Sequence, residues 1–413
     1  MKSRGYLHVL AEPRFRVLFG STVLSITAQT LRILALSVLV FAATGSALLA
    51  ALAFGSGFLP QVLGAALLGS LADRVRPRPL IAVGNLLECG TGLVLALGHL
   101  PIWGDLVLVA VGAVVTPVCL GGSGRLVAEV LTGDDYVLGR SLNSMAASAA
   151  QLAGLAGGGL AIGLLGPQGA LLVSAGAYLI ATVWVRFGLP DLPVPAPAAG
   201  SLVRHSIAGQ RALLADPAIR ALMLAQWLPP AFVTGAESLL VPYAAGRGYP
   251  TSAGGLLLAC LPVGMLIGDV VAGRLLAPAT RERLLVAFVM LLGAPLVVLA
   301  APLPPAVAAV ALVCSGMGFA YGLSVQRRFR DAVPPESRGQ AFGLLSTGLM
   351  TCQGIGPALC GGLSTVVAAP LLIAGAGAAT VLMGLKMRYQ LGFMNDSGGS
   401  SLRAGAGAGA DSS

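Results

Sequence analysis

The chain has 413 residues, 56% of them hydrophobic and 10% charged, and it carries a formal net charge of +9. With a mean hydropathy of +0.88, it lies well outside the composition of a soluble globular domain and reads as an integral membrane protein. The basic residues sort themselves between apolar stretches as topology requires, leaving no patch to assign to a nucleic-acid partner.

Twelve apolar stretches follow one another, at 18–41, 48–71, 80–97, 106–124, 142–165, 170–185, 222–244, 255–273, 284–301, 306–325, 341–363 and 371–385. Most approach the roughly 20 residues that a helix needs to cross about 30 Å of hydrocarbon. Helices satisfy their own backbone groups where no water is available, so the expected fold class is an all-α integral membrane protein with twelve transmembrane helices.

The charges between these spans fix their direction. Lys2, Arg4, Arg14 and Arg16 precede span 1; Arg74, Arg76 and Arg78 separate spans 2 and 3; Arg125 and Arg140 separate spans 4 and 5. Arg186, Arg204, Arg211 and Arg220 lie between spans 6 and 7, Arg274, Arg281 and Arg283 between 8 and 9, and Arg327, Arg328, Arg330 and Arg338 between 10 and 11. With Lys386, Arg388 and Arg403 after span 12, 23 of the 25 Lys and Arg residues fall on alternate gaps. Because positive loops stay cytoplasmic, the pattern predicts a multi-pass protein of the cell membrane with both termini inside. The two exceptions are Arg247, on an outer loop, and Arg32, within span 1.

Shifting the chain on itself by 200 residues pairs Gly64 with Gly264, Ala72 with Ala272, Arg74 with Arg274, Gly122 with Gly322, Gly139 with Gly339 and Gly154 with Gly354. One constant offset predicts two parallel six-helix repeats, a transporter plan that places the substrate path at the interface of the halves. The expected division is a cytoplasmic segment at 1–16, a six-helix bundle at 17–187, a linker at 188–217, a second bundle at 218–387 and a disordered tail at 388–413. The linker carries a Pro-rich run, then apolar residues at helical spacing that predict an amphipathic helix on the cytoplasmic face. The six cysteines all lie within spans and form no CxxC pair, so they read as small packing residues and no metal site is expected.

After span 2 the sequence runs Gly69-Ser70-Leu71-Ala72-Asp73-Arg74-Val75-Arg76-Pro77-Arg78. Gly69 permits close helix packing, Asp73 can accept from exposed N–H groups at a helix start, and the arginines can anchor at lipid phosphate. This loop, and Arg338-Gly339-Gln340-Ala341-Phe342-Gly343 at the start of span 11, resemble the loop signatures of the major facilitator superfamily. The resemblance covers essentially the whole chain and implies the major facilitator fold. It further implies a conformational latch in which Asp73 caps the start of span 11, with Gly69, Arg74, Arg78, Glu129, Arg338 and Gly339 around it. Gly154 and Gly157 on span 5, with Gly354, Gly356, Pro357 and Gly361 on span 11, are read as helix-packing positions. Within the superfamily the chain is most similar to the macrolide-efflux-type, drug:proton antiporter branch. That similarity rests on Pro13-Arg14-Phe15-Arg16, the Thr44-Gly45-Ser46 turn and Asp216-Pro217-Ala218-Ile219-Arg220.

Charges inside the membrane are expensive, so those present should be paired or face a cavity. At 1.5 Å per residue, Arg32 lies about 21 Å along span 1 and Glu237 about 22 Å along span 7, a shared depth in near-equivalent places. The resemblance puts both spans on the central cavity, which allows Arg32 and Glu237 to form a cavity charge pair remade during transport with Glu237 as the proton-coupling carboxylate; the alternatives are a static pair or two unrelated residues reaching outward. Glu88, about 12 Å into span 3, is a second candidate for titration, and Asp269 is expected to pair with a cytoplasmic arginine.

No enzyme is expected. Gly121-Gly122-Ser123-Gly124 matches the core of a rhomboid protease, yet no histidine lies within a span to act as base, and no phosphate-binding loop is present. The expected function is a secondary active transporter, exporting amphipathic organic molecules by proton-coupled alternating access. The alternatives are an importer of a small nutrient or a transport-inactive receptor or scaffold. A monomer is expected, with a small-molecule substrate, a proton as coupling ion, the lipid bilayer as surroundings and no cofactor.

Overall fold

The computed structural model describes residues 6–68, 75–98, 100–131, 134–189, 211, 213–334 and 337–407. Span 1 is one long helix, Pro13–Thr44, ended by Gly45 at φ 64°, whose N–H bonds to Phe41 O. Ser46 caps the next helix by accepting from Leu49 N, so the Thr44-Gly45-Ser46 run makes a tight reversal between spans 1 and 2. Span 2 comes in two pieces, Ala47–Gly55 and Leu59–Leu68. Pro60 supplies the break, because it has no N–H and its ring displaces the carbonyl of Ser56.

Pro77–Leu97 and Ile102–Val130 form spans 3 and 4. Spans 5 and 6 occupy a single helical run, Asp134–Gly188, that turns at Gly166, where φ is 72° and ψ is 171°. Only glycine takes that backbone freely, and Pro167 then starts span 6 with φ already set. In the second half, span 7 is Pro217–Glu237 followed by Leu240–Gly246, span 8 is Thr251–Val270 running into a π-helical turn, Val271–Leu275, and span 9 is Leu285–Val298. Span 10 is Pro305–Met317 and Tyr321–Ala332 joined by a 3-10 turn, span 11 is Arg338–Leu363, and span 12 is Ala369–Gly407. Eight helices among the described residues are individually long and apolar enough to cross a membrane. The tally stops short of twelve because spans 5 and 6 are counted together and span 9 has only 14 residues; span 7, whose first piece carries Arg220, Gln226 and two internal prolines, and span 11, rich in glycine and hydroxyl side chains, are also outside it.

The last helix departs from expectation. Its backbone continues to Gly407, through residues where the sequence predicts disorder. Extending an existing helix costs no new nucleus, so a polar tail can propagate the turn that span 12 starts. The linker at 190–210, with most of its expected amphipathic helix, lies outside the described residues.

Close packing repeats between the halves. Gly64 of span 2 abuts the Val114 carbonyl on span 4, and Gly264 of span 8 abuts the Val313 carbonyl on span 10. The same internal joint is thus made twice, at the offset the sequence shows. The two halves meet at spans 2 and 11 and at spans 5 and 8. A Cβ on Gly354 would lie 2.7 Å from the Cβ of Leu59, one on Gly361 would lie 2.7 Å from the Cβ of Ala51, and one on Gly159 would lie 2.7 Å from the Cβ of Ala259. All three contacts lie toward the end of the bundle opposite the chain termini, and there small residues seal the halves together.

Span 7 shows how broken helices are kept satisfied. Pro229 and Pro230 withhold two backbone donors, freeing the carbonyls of Ala225 and Gln226. Tyr321 of span 10 donates its hydroxyl to Ala225 O at 3.1 Å, and Trp227 Nε1 donates to Leu345 O of span 11 at 2.9 Å. Tyr321→Phe leaves that buried carbonyl without a donor, and we expect it to cost about 1 to 3 kcal/mol, read as a lower melting temperature of the purified protein.

Candidate functional site

A cavity of about 680 Å3 lies between the halves, walled by spans 1, 2 and 5 on one side and spans 7, 8, 10 and 11 on the other. It runs from the sealed region toward the end bearing the termini, reaching Ala149, Asp269 and Gln326. Most of its wall is apolar, with Phe54, Phe58, Leu261 and Met265 among the larger side chains, and polarity enters through Gln151, Gln226, Gln353, Glu237 and Asp269. Among the described lining residues two are carboxylates and none is basic.

Glu237 sits where span 7 breaks. The first helix ends at this residue, Ser238 donates its hydroxyl back to Gly235 O at 2.7 Å, and the chain restarts at Leu240. Pro242 enforces the break by excluding the carbonyl of Ser238 from helical bonding. The Glu237 side chain is buried and its Oε1 has no hydrogen-bond partner among the described residues. A carboxylate in that setting is costly to keep ionised alone, so it takes a proton or faces a cation. The equivalent stretch of span 1 is unbroken, so this interruption belongs to the second half only.

Arg32 does not pair with Glu237. Its Nη1 forms a buried ion pair with Glu88 Oε2 on span 3, and its guanidinium lies 5.7 Å from the centroid of the Tyr178 ring. Thr116 on span 4 donates to Glu88 Oε1 at 3.4 Å, and Gly112, one turn away, leaves space for the carboxylate, since a Cβ there would lie 3.1 Å from it. Equal depth of the two residues does not bring their side chains together, because helical side chains lean toward the helix start. A long arginine thereby reaches down to Glu88, whose Cα lies nearer the terminal end. Asp269 is half-buried on the cavity wall, and no ion-pair partner for it occurs among the described residues. The cytoplasmic arginine expected beside it is absent from that set; Arg327 and Arg328 instead lie 3.7 and 3.9 Å from Glu282.

Of the latch residues, Gly69, Asp73 and Arg74 lie outside the described residues, as do the side chains of Glu129, Arg338 and Gly339, whose backbones belong to spans 4 and 11. Arg78 is placed: its Nη2 donates to Arg186 O in the last turn of span 6, where a cation suits the helix end. Arg247, the other exception to the alternation, plays the same part elsewhere. It donates to Leu299 O at 3.1 Å and Ala300 O at 2.7 Å beyond the end of span 9, with its guanidinium 5.4 Å from the Tyr243 ring centroid.

The glycine assignments divide. Gly154 packs against span 1, with Thr27 O 2.8 Å from its would-be Cβ; Gly354 and Gly361 pack against span 2, Gly356 packs against Ala231 of span 7, and Pro357 against Gly55. Gly157 is a correction: nothing lies within 4 Å of a Cβ there. The close contacts of that run are made by Gly158 and Gly159, because each residue turns 100° about the axis and Gly157 points outward. Sequence reasoning also missed Tyr178 and Tyr321. The paired prolines at 229 and 230 signal that freed carbonyls need an outside donor; no comparable signal marks Tyr178.

Comparison with known proteins fixes the family. No curated protein matches the sequence. By structure, the chain resembles a bacterial homologue of the human lysosomal transporter Spinster in an inward-facing and unoccupied conformation, at 14% identity and TM-score 0.62, covering 90% of this chain and 94% of that one. It also resembles a POT family transporter in complex with 5-aminolevulinic acid, at 12% identity and TM-score 0.68, covering 91% and 95%. The nucleoside transporter NupG aligns at 13% identity and TM-score 0.65, over 90% and 99%. At such identities these likenesses establish the fold. The sequence signature of the Major Facilitator Superfamily spans residues 18–357, and with twelve spans in two repeated halves around a central cavity the chain belongs to that superfamily, as a multi-pass secondary transporter.

Proposed function

We propose that the chain is a proton-coupled exporter of amphipathic organic molecules that carry a cationic group, acting as a monomer in the cell membrane with both termini in the cytoplasm. The observation that carries this reading is the unpartnered carboxylate of Glu237 at the helix break in the wall of the central cavity. One carboxylate can be neutralised by a proton or by a substrate cation, and exchange of the two is antiport. Asp269, nearer the open end, adds a second acidic group, while the apolar wall suits the remainder of an amphipathic substrate. With the termini cytoplasmic, the sealed end faces outward and the cavity opens inward, where an exporter loads.

Alternating access then requires the seal of spans 2, 5, 8 and 11 to open while the terminal end closes. The latch around Asp73, Arg74, Glu129 and Arg338 is assigned to that closing step, and the Arg32–Glu88 pair to holding span 1 against span 3. The efflux direction and the macrolide-efflux-type branch rest on the sequence resemblance at Pro13-Arg14-Phe15-Arg16 and at the turn before span 7. Accumulation of labelled lipophilic cations in cells with and without the protein, repeated with a proton uncoupler, tests the reading. We expect lower accumulation that the uncoupler restores. Higher accumulation would make the protein an importer, and no change across a broad panel would favour the scaffold.

A further inference from the structure

A second cavity, of about 420 Å3, lies within the first half, between spans 1, 3 and 4 with Tyr178 of span 6 at its wall. It shares no lining residue with the central cavity, although span 1 borders both: Thr30 and Ile33 face the central cavity, Ser25, Ile26 and Gln29 this one. Its rim is apolar and exposed, with Leu86, Leu87 and Val111 each more than half accessible. Rim residues that are exposed on membrane spans yet absent from the central cavity face the hydrocarbon.

The floor is polar and unevenly satisfied. Asn85 is 6% exposed; its Oδ1 accepts from Ser25 at 3.1 Å and its Nδ2 has no partner among the described residues. Both Glu88 oxygens are engaged, by Arg32 and by Thr116, whereas Arg32 Nε and Nη2, behind Glu88, are unpartnered as well. The floor therefore offers one spare donor, Asn85 Nδ2, beside a carboxylate whose two oxygens are each already engaged. Because the Arg32–Glu88 pair is already neutral, a charged carboxylate brought to it would be buried without its own countercharge, a heavy penalty, whereas a carbonyl would only answer a waiting donor. A volume of this size is that of a small-ligand pocket.

We propose that this cavity is a lipid-facing binding site, separate from the transport path, for a neutral single-chain amphiphile whose ester or amide carbonyl accepts from Asn85 while its chain lies along Leu87 and Val111. The probe is a monoacylglycerol bearing a diazirine in its chain, photolysed with the full-length protein in nanodiscs, followed by peptide mapping. We expect labelling concentrated on spans 3 and 4 and displaced by excess unlabelled monoacylglycerol. Gly90 lines the cavity with open space beyond its Cβ position, so Gly90→Phe fills the site without a clash there and should cut the labelling at least about fivefold. Gly176→Phe, on span 6 with equally open space and no part in the cavity lining, should leave it unchanged. Asn85→Leu should weaken labelling by removing the donor. Labelling spread evenly round the bundle, or concentrated on these spans but indifferent to Gly90→Phe and to competitor, overturns the site. Displacement by oleate as effective as by monoacylglycerol overturns the neutral head group. The wild-type competition needs no variant to fold.

Discussion

Replacing Glu237 by glutamine should lower uphill, proton-driven transport about a hundredfold while leaving a weakened downhill exchange of substrate, carried by the apolar wall and Asp269. The substitution keeps the shape of the side chain and its place at the break of span 7, but removes the group that can alternate between proton and cation. The magnitude follows from the cost of an unneutralised charge at mid-bilayer, about 2.5 to 3.5 kcal/mol, which is the free energy that binding of either partner relieves. Reconstituted vesicles give the readout: substrate flux driven by an imposed pH gradient, set beside counterflow with no gradient. Retention of gradient-driven flux in Glu237→Gln would remove this residue from the coupling step. Glu237→Asp, which keeps the charge on a shorter stem, should retain part of the driven flux.

The buried Arg32–Glu88 pair predicts the largest loss of stability. Arg32→Leu leaves the Glu88 carboxylate in the bundle without its cation, and Glu88→Leu leaves a guanidinium stranded against Tyr178. Either change should cost about 3 to 5 kcal/mol, because the survivor keeps its desolvation penalty and loses its partner. Removing both charges together, as Arg32→Leu with Glu88→Leu, should recover most of that loss, since a pair of apolar side chains has no such penalty to offset. Thermal melting of the four proteins in one detergent measures the cycle. Additive losses in the double variant would mean that the two groups do not act as a pair.

The twelve spans and the duplication were legible in the sequence because each depends on one-dimensional patterns. Apolar length sets the spans, arginine counts set their alternation, and the offset of Gly64 and Gly264 marks a joint that both halves make. The partner of Arg32 was not legible. Two candidates, Glu88 and Glu237, lay within reach, and choosing between them needs the lean of the side chain and the tilt of three helices. Gly157 failed for a related reason, since a run of three glycines at 157–159 does not say which one faces the neighbouring helix. Glu237 was found as an intramembrane carboxylate, but its isolation was hidden, because a lone charge and a paired one look alike in a sequence.

The seal between the halves has a consequence for how the protein senses its surroundings. The contacts described there join glycine, alanine, leucine and proline, with no charge among them. Its strength therefore comes from contact between small surfaces, and dissolved ions, having no charge to screen, leave it as it is. What can loosen it is sideways force: a bilayer that squeezes or relaxes the bundle acts on the area of this joint. The composition of the membrane, more than the water on either side, then sets how readily the sealed end of the bundle parts.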